Sequence, residues 1–248
     1  MRYSGLGTQR LEAEVRARFR EASVLRMDTD TMQQPGSYVK AFESFRRHEV
    51  DIMLGTQMIA KGLDFPDVVL VGVINADTAL HLPDYRASER TFQLVTQVAG
   101  RTGRGERGGR VLVQTFNPEH PAIQAAVKHD YLMFADAELP VREAFHYPPY
   151  WSLARMIVRG PAEKRVEAFA KTLAERVEAA LQTSGVEHRI LGPAPAPLAK
   201  IRNLYRYHFQ MQCPDGDVLR AALRTVVYKL TPPDEIQFAI DVDPQDML

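Results

Sequence analysis

Gln97-Val98-Ala99-Gly100-Arg101-Thr102-Gly103-Arg104 reads QVAGRTGR, with Gly105 and Arg107 just beyond and an apolar run from Val111 to Thr115 after them. Glycine lets backbone turn tightly and come close to a ligand. Arginine carries a rigid, permanently charged fork that matches phosphate oxygens. Taken alone, the stretch also reads as a basic surface turn. It gains weight from a second segment upstream, GTQMIAKGLDFPDV, Gly55 to Val68. There Thr56 lies just past an apolar run, with an amide and a hydroxyl suited to a phosphate.

Working outward, apolar spacing gives helices over 9–20 (Leu11, Val15, Phe19) and 37–48 (Val39, Phe42, Phe45). Short apolar runs at Val24–Met27 and Val50–Leu54 read as strands, and Val68–Ile74 (VVLVGVI) as a strand covered on both faces. A helix over 86–97 and a strand over Val111–Thr115 follow. Strands alternating with helices imply a parallel sheet flanked by helices. One helix is expected from Pro121 to Phe134, with Leu132 available for packing and Pro140 punctuating the chain after it. Tyr147-Pro148-Pro149-Tyr150 marks a boundary. The expected division is an α/β lobe over 1–148 and a smaller α+β domain over 149–248. The latter reads strand (151–158), helix (162–182), strand (186–191), strand (204–212), helix (217–230), strand (236–242), which suggests a split β-α-β arrangement. Between its second and third strands, GPAPAP (Gly192–Pro197) must be extended, because prolines lack amide donors.

Composition bounds the function. The 248 residues are 45% hydrophobic, enough for a real core, and carry one cysteine, Cys213, so neither a disulfide nor a cysteine-cluster zinc site forms within the chain. The seven histidines have no metal-ligand spacing, and no metal site is expected. Mean hydropathy is -0.26, no long apolar run suggests a membrane span, and the first ten residues lack a secretory signal core, so the expected compartment is the cytoplasm. With 31 basic and 31 acidic residues, the chain is not globally basic, and any nucleic-acid contact must come from local patches.

The two glycine-bearing segments resemble motifs V and VI of the second RecA-like lobe of superfamily 2 helicases. With LPDYRASERTFQL between them, GPAPAP further on and IDVDP near the end, the chain from about Gly5 onward resembles the PriA family of primosomal replication-restart DNA helicases. The tail motifs separate it from branch-migration translocases of the same superfamily. The resemblance implies a RecA-like lobe followed by a C-terminal domain of an ATP-dependent 3'-5' DNA helicase that restarts stalled forks and helps load the primosome. It assigns Arg104 to the γ-phosphate and Arg101 to the neighbouring phosphate, with Gln97 holding the loop. It assigns Gly62 and Asp64 to nucleotide contacts, and Thr56, with Lys61 beside it, to a DNA phosphate. Without the motif, Asp64 reads equally as a turn residue and Lys61 as solvated charge.

Neither a GxxxxGK[ST] loop nor a DExH-like box occurs in the 248 residues, and NTP hydrolysis needs both. The resemblance places them in a missing upstream lobe, with ATP and Mg2+ between the two lobes, and places zinc in a module just before Gly5-Leu6-Gly7-Thr8-Gln9-Arg10. Gln9 departs from the family's acidic residue there. The chain is therefore expected to be a fragment that is inactive alone. The implied partners are DNA forks, single-stranded DNA, single-stranded-DNA-binding protein and primosome proteins. A non-catalytic adapter that kept the lobe for binding DNA or protein is the alternative, and the intact arginine pair argues against it.

Two further clusters stand out. Asp77, Asp84, Arg86 and Glu89 read either as a network bracing the arginine loop or as a solvated loop. Lys200 to Phe209 (KIRNLYRYHF) interleaves basic and aromatic residues. On a strand, Tyr205, Tyr207, Phe209 and Met211 share a core face, and Arg206 and His208 share the other. That second face, with Lys200 and Arg202 nearby, is a candidate single-stranded DNA or acidic-peptide surface.

Overall fold

The computed structural model describes residues 7–28, 31–32, 34, 36–56, 67–100, 109–228 and 230–247. These form two compact units. One comprises residues up to Leu82 together with Ala87–Phe134; the other comprises Pro83–Arg86 and Ala135 onward.

In the first unit, α1 (Thr8–Arg18) precedes β1 (Val24–Met27), and α2 (Ser37–Arg46) precedes β2 (Ile52–Gly55). β1 and β2 pair in parallel, Val24 opposite Ile52 through Met27 opposite Gly55. β3 (Leu70–Val73) pairs in parallel with β4 (Arg110–Val113). Between them lie a short α3 (Asp77–Leu80) and α4 (Ala87–Ala99). α4 buries Thr91, Phe92, Val95 and Val98, at the spacing of one helical face. α5 (Pro121–Val127) packs on it with Ala122, Ile123, Ala125 and Ala126 fully or nearly buried, and Phe134 stacks on Phe92 at 4.7 Å between ring centroids.

Three expectations change here. β3 is not covered on both faces: Leu70 is 55% exposed and Leu112, which pairs with Gly72 on the same face, is 62% exposed. β3 and β4 form a pair of their own, and α4 contacts both strands from one side, so the alternate residues meet no cover among the described residues. The helix expected over 121–134 is broken. Lys128–Asp130 separate α5 from α6 (Tyr131–Ala144), His129 has φ 53°, and the Asp130 carboxylate accepts the Met133 N–H at 2.9 Å, which starts the new helix. Leu132 is 70% exposed rather than packed, and α6 runs through Pro140. Two exposed ends of helical faces also differ: Phe19 caps α1 in solvent, and Val39 on α2 is exposed.

The second unit follows the expected order of elements: β5 (Ser152–Gly160), α7 (Glu163–Gln182), β6 (Arg189–Ile201), β7 (Leu204–Cys213), α8 (Gly216–Tyr228) and β8 (Gln237–Val242). The sheet order is β6-β7-β5-β8, with β7 antiparallel to both β5 and β6. One face of the sheet meets α7 and α8. Met156 and Val158 of β5, Phe209 and Met211 of β7, Leu173 and Leu181 of α7 and Leu219 of α8 are fully buried together. The prolines of β6 sit on an edge strand, where a missing N–H costs the sheet nothing on the open side. Gly192 has φ 103°, and a Cβ there would lie 2.9 Å from the His208 carbonyl oxygen, so this close passage of β6 over β7 requires glycine.

Candidate nucleotide and DNA interface

In the first unit, the strand ends organise the site. β2 ends at Gly55, and Thr56 follows it, exposed, beyond the C-terminal end of the parallel pair, where α/β sheets bind ligands. Lys61, Gly62 and Asp64 lie outside the described residues, as do Arg101 and Arg104. What delivers the arginine stretch is described. α4 buries Val95 and Val98 and turns Gln97 outward in its last turn, and the Gly100 N–H donates to the Thr96 carbonyl at 3.0 Å, carrying the helical pattern to its end.

Among the described residues, the charged cluster between the two motifs divides its contacts between different partners. Asp77, at the start of α3, is 6% exposed and closes the exit of β4. Its carboxylate accepts from Thr115 Oγ1 at 2.9 Å, the Phe116 N–H at 2.9 Å and Asn117 Nδ2 at 2.8 Å. Burial works to raise its pKa, but these three donors outweigh burial and hold it below the usual carboxylate value. Asp84 and Arg86 belong to the second unit, and Glu89 accepts from Gln93 within α4.

In the second unit, the basic stretch forms the hairpin of β6 and β7. Ile201 pairs with Leu204, leaving Arg202 and Asn203 as a two-residue turn with φ 49° and 65°. Positive φ at both positions is the type I′ pattern that fits the twist of the strands. Asparagine accepts this conformation readily; arginine does not, and it holds Arg202 exposed at the tip at a cost of about 1 kcal/mol. The three predicted cations do not share a face. Lys200 is the cross-strand partner of Tyr205 and holds its ammonium 4.3 Å from that ring, on the side of the sheet that also carries Tyr207. Arg206 points to the opposite side, half-buried, donating to the Leu198 carbonyl at 3.2 Å.

On that opposite side the structure adds a residue missed in the sequence reading. Arg159 on β5 stands directly across from Arg206 on β7, exposed, with Nε donating to Gln237 Oε1 at 2.9 Å. Like charges opposed in this way oppose folding unless an anion joins them. Burial lowers the Arg206 pKa, and Arg159 adds to the shift. The signal was present in SLARMIVRG, where Arg155 and Arg159 fall on one face of a strand whose other face is apolar. His208, further along this face, is pushed down to about 4 by burial, then by Arg155 and Arg206, so it is neutral at physiological pH. Arg155 itself is 1% exposed, donates through Nη1 to the Asp246 carbonyl at 3.2 Å, and has its pKa lowered mainly by burial. Among the described residues, no cluster of His, Cys, Asp and Glu could hold a metal ion, and no helix is long and apolar enough to cross a membrane.

Parallel strand pairs carrying helices, with an exposed threonine past one strand and a helix that ends just before the glycine-arginine stretch, fit a helicase lobe. Residues 7–106 match the family described as helicase conserved C-terminal domain, which gives the first unit a RecA-like α/β fold. Residues 143–245 match the primosomal protein N C-terminal domain. The chain belongs to the PriA family, as its helicase C-terminal lobe and C-terminal domain. It is 41% identical to the replication restart protein PriA of Bacillus subtilis over 251 residues, covering 100% of this chain and 31% of that protein. It is 39% identical to PriA of Synechocystis over 244 residues, covering 98% of this chain and 29% of that protein, and 38% identical to PriA of Treponema pallidum over 247 residues, covering 100% and 37%. The chain thus spans about a third of the length of these relatives.

Proposed function

We propose that this chain supplies the second motor lobe and the C-terminal domain of an ATP-dependent 3'-5' DNA helicase of replication restart, working with a P-loop lobe that the 248 residues do not contain. The observation that carries this reading is the conjunction, in one chain, of a helicase lobe whose α4 leads into paired arginines and a C-terminal domain of the primosomal type. ATP with Mg2+ would supply the phosphoryl group to be transferred, and a glycine loop with two arginines has the donor chemistry for its phosphates. Arg104 and Arg101 would stabilise charge that develops in the transition state, with Gln97 ordering the loop and Gly62 and Asp64 at the nucleotide. Thr56 and Lys61 would hold a DNA phosphate past β2.

The C-terminal domain would add a second, weaker DNA contact through Arg202 and Arg206, now joined by Arg159, with Lys200 at the hairpin's other side. Its arrangement fits a split β-α-β domain, since β5 and β6, linked by α7, flank β7. DNA forks, single-stranded DNA, single-stranded-DNA-binding protein and primosome proteins are the proposed partners, in the cytoplasm. The chain alone would not turn over ATP, because an arginine pair without a P-loop lysine and a metal-holding acid is half a site.

The test is Arg104→Ala in the complete helicase. DNA-stimulated hydrolysis should fall by about 10³ to 10⁵, the range for an arginine finger, while DNA binding is kept. Turnover within about threefold of normal would refute the assignment. For the second contact, each phosphate neutralised on a single strand adds about -0.7 to the slope of log affinity against log salt. Arg159→Glu with Arg206→Glu should therefore flatten that slope by about 1, and an unchanged slope removes both residues from the interface.

A further inference from the structure

The four-stranded sheet of the second unit has two edges, and they are built differently. At one edge β6 carries Pro193, Pro195 and Pro197, together with Lys200, and its register shifts against β7. Prolines, lysines and bulges are the devices by which edge strands resist pairing with another chain. At the other edge β8 runs Gln237-Phe238-Ala239-Ile240-Asp241-Val242, with no proline, no lysine and no shift against β5. Its hydrogen-bonding direction follows from one contact. The Asp243 N–H donates to the Leu153 carbonyl at 2.9 Å, in the same antiparallel register that sets Asp241 opposite Arg155 and Ala239 opposite Ile157. Backbone groups alternate in direction along a strand. Asp241, Ala239 and Gln237 therefore bond to β5, and the N–H and C=O groups of Phe238, Ile240 and Val242 point away from the sheet. Among the described residues nothing donates to these groups or accepts from them.

The chemistry around this edge selects what can lie on it. From Thr231 to Leu248 the chain has five acidic residues, Asp234, Glu235, Asp241, Asp243 and Asp246, all exposed, and no lysine, arginine or histidine. Glu235 lies 3.8 Å from Arg165, before the strand begins. The residues that bond outward are apolar: Phe238 and Ile240 pack against the core, and Val242 is 38% exposed. An added strand would continue this apolar side and set its other side beside Asp241, where a cation is favoured. At the opposite end Gln237 is joined to Arg159, so the cation belongs toward Asp241. A second copy of this chain would bring its own five carboxylates against these, and like charges oppose that pairing. We propose that β8 is a docking edge at which an extended segment of a partner protein, alternating apolar and polar residues with a lysine or arginine beside Asp241, adds as a fifth strand. Backbone hydrogen bonds at Phe238, Ile240 and Val242 give the affinity, and the carboxylates select the charge.

The full 248-residue chain is titrated with a dye-labelled heptapeptide, Thr-Val-Lys-Val-Lys-Val-Thr, by fluorescence anisotropy, and amide hydrogen exchange is followed residue by residue. The peptide reads the same in both directions, so neither strand orientation is presupposed. Saturable binding is expected, and none up to about 1 mM overturns the inference. With free peptide at about ten times Kd, exchange at Phe238, Ile240 and Val242 should slow by about tenfold, while Ala239 and Asp241, already bonded to β5, change little. Binding that leaves the three outward amides unprotected overturns the inference. Two N-methylated peptides separate strand addition from charge attraction. Methylating either the valines or the lysines and threonines should weaken binding by about tenfold, and the other set should bind as the parent does; equal effects overturn the inference. Val242→Pro removes an outward donor and no bond to β5, so it should stay folded and weaken binding by about tenfold. Asp241→Asn keeps every backbone group, should weaken binding by about two- to fivefold, and provides the reading if Val242→Pro does not fold. Unchanged affinity in Asp241→Asn, or a chain that dimerises without peptide and protects the same three amides, overturns the proposed occupant.

Discussion

Acidification from pH 7 to pH 5 should loosen the C-terminal unit through one side chain, His208. The ring stands on β7 across from Ile157 of β5 and Ala194 of β6, and its Nδ1 is buried with no hydrogen-bond partner among the described residues. Burial and the neighbouring Arg155 and Arg206 push its pKa down from 6.5 to about 4. In the unfolded chain the same ring titrates near 6.5. Below that value the unfolded state takes up a proton that the folded state refuses, so stability is intact above pH 6.5 and is lost as the pH falls from there toward 4. With these two pKa values the linkage integral gives a loss of about 0.2 kcal/mol at pH 7 and about 2 kcal/mol at pH 5. Water reaching the partly exposed ring reduces the difference to about 1–2 kcal/mol.

Trp151 is the single tryptophan of the chain and lies in this unit, its ring edge-on to His146 with centroids 4.2 Å apart. Its fluorescence therefore reports this unit alone. With a urea slope of about 1–3 kcal/mol per molar, the unfolding midpoint should drop by about 0.5–1 M between pH 7 and pH 5. Midpoints are compared rather than intensities. The other groups here with displaced pKa values titrate outside the window: Tyr147, Tyr207 and Cys213 are pushed up by burial, and Arg155, Arg206, Lys171 and Arg220 remain cations. His208→Gln removes the titrating group, so its midpoint should be nearly flat over the same range. Equal midpoints for wild type at the two pH values, or an equal loss in His208→Gln, would refute the reasoning.

Two further outcomes follow from single positions. Asp77→Ala strands three donors that now share one carboxylate, and should destabilise the first unit by about 2–4 kcal/mol, seen by calorimetry as a lower transition for that unit while the Trp151 transition stays in place. Gly192→Ala forces a Cβ to within 2.9 Å of the His208 carbonyl at a residue with φ 103°, and should lower the urea midpoint followed by Trp151 by about 1 M or more, whereas a surface alanine such as Ala168→Gly tests only helix propensity and should cost about 1 kcal/mol.

The parts of this fold written in local periodicity were readable from the chain. Period-2 alternation in LYRYHFQMQC places Tyr207, Phe209 and Met211 in the core and Arg206 and His208 opposite. Period-3.6 spacing in α7 places Leu173, Val177 and Leu181 under the sheet. What periodicity cannot state is the neighbour. The run VVLVGVI is apolar at every step, and that hides the alternation of exposed and half-buried residues seen where, among the described residues, β3 pairs with β4. Lys200, Arg202 and Arg206 are close in sequence, but a two-residue turn and a period of two divide them among one face, the tip and the other face. Arg159 is 47 residues from Arg206 and meets it only through the β5–β7 register. The same limit governs Asp77, Asp84 and Arg86, whose proximity in sequence left a bracing network and a solvated loop both open. Asp77 spends its carboxylate on the exit of β4, and Asp84 spends its own on a tail 163 residues away. A buried carboxylate must find donors wherever the fold brings them, so composition foretells that Asp84 needs partners but only the pairing of remote segments decides which.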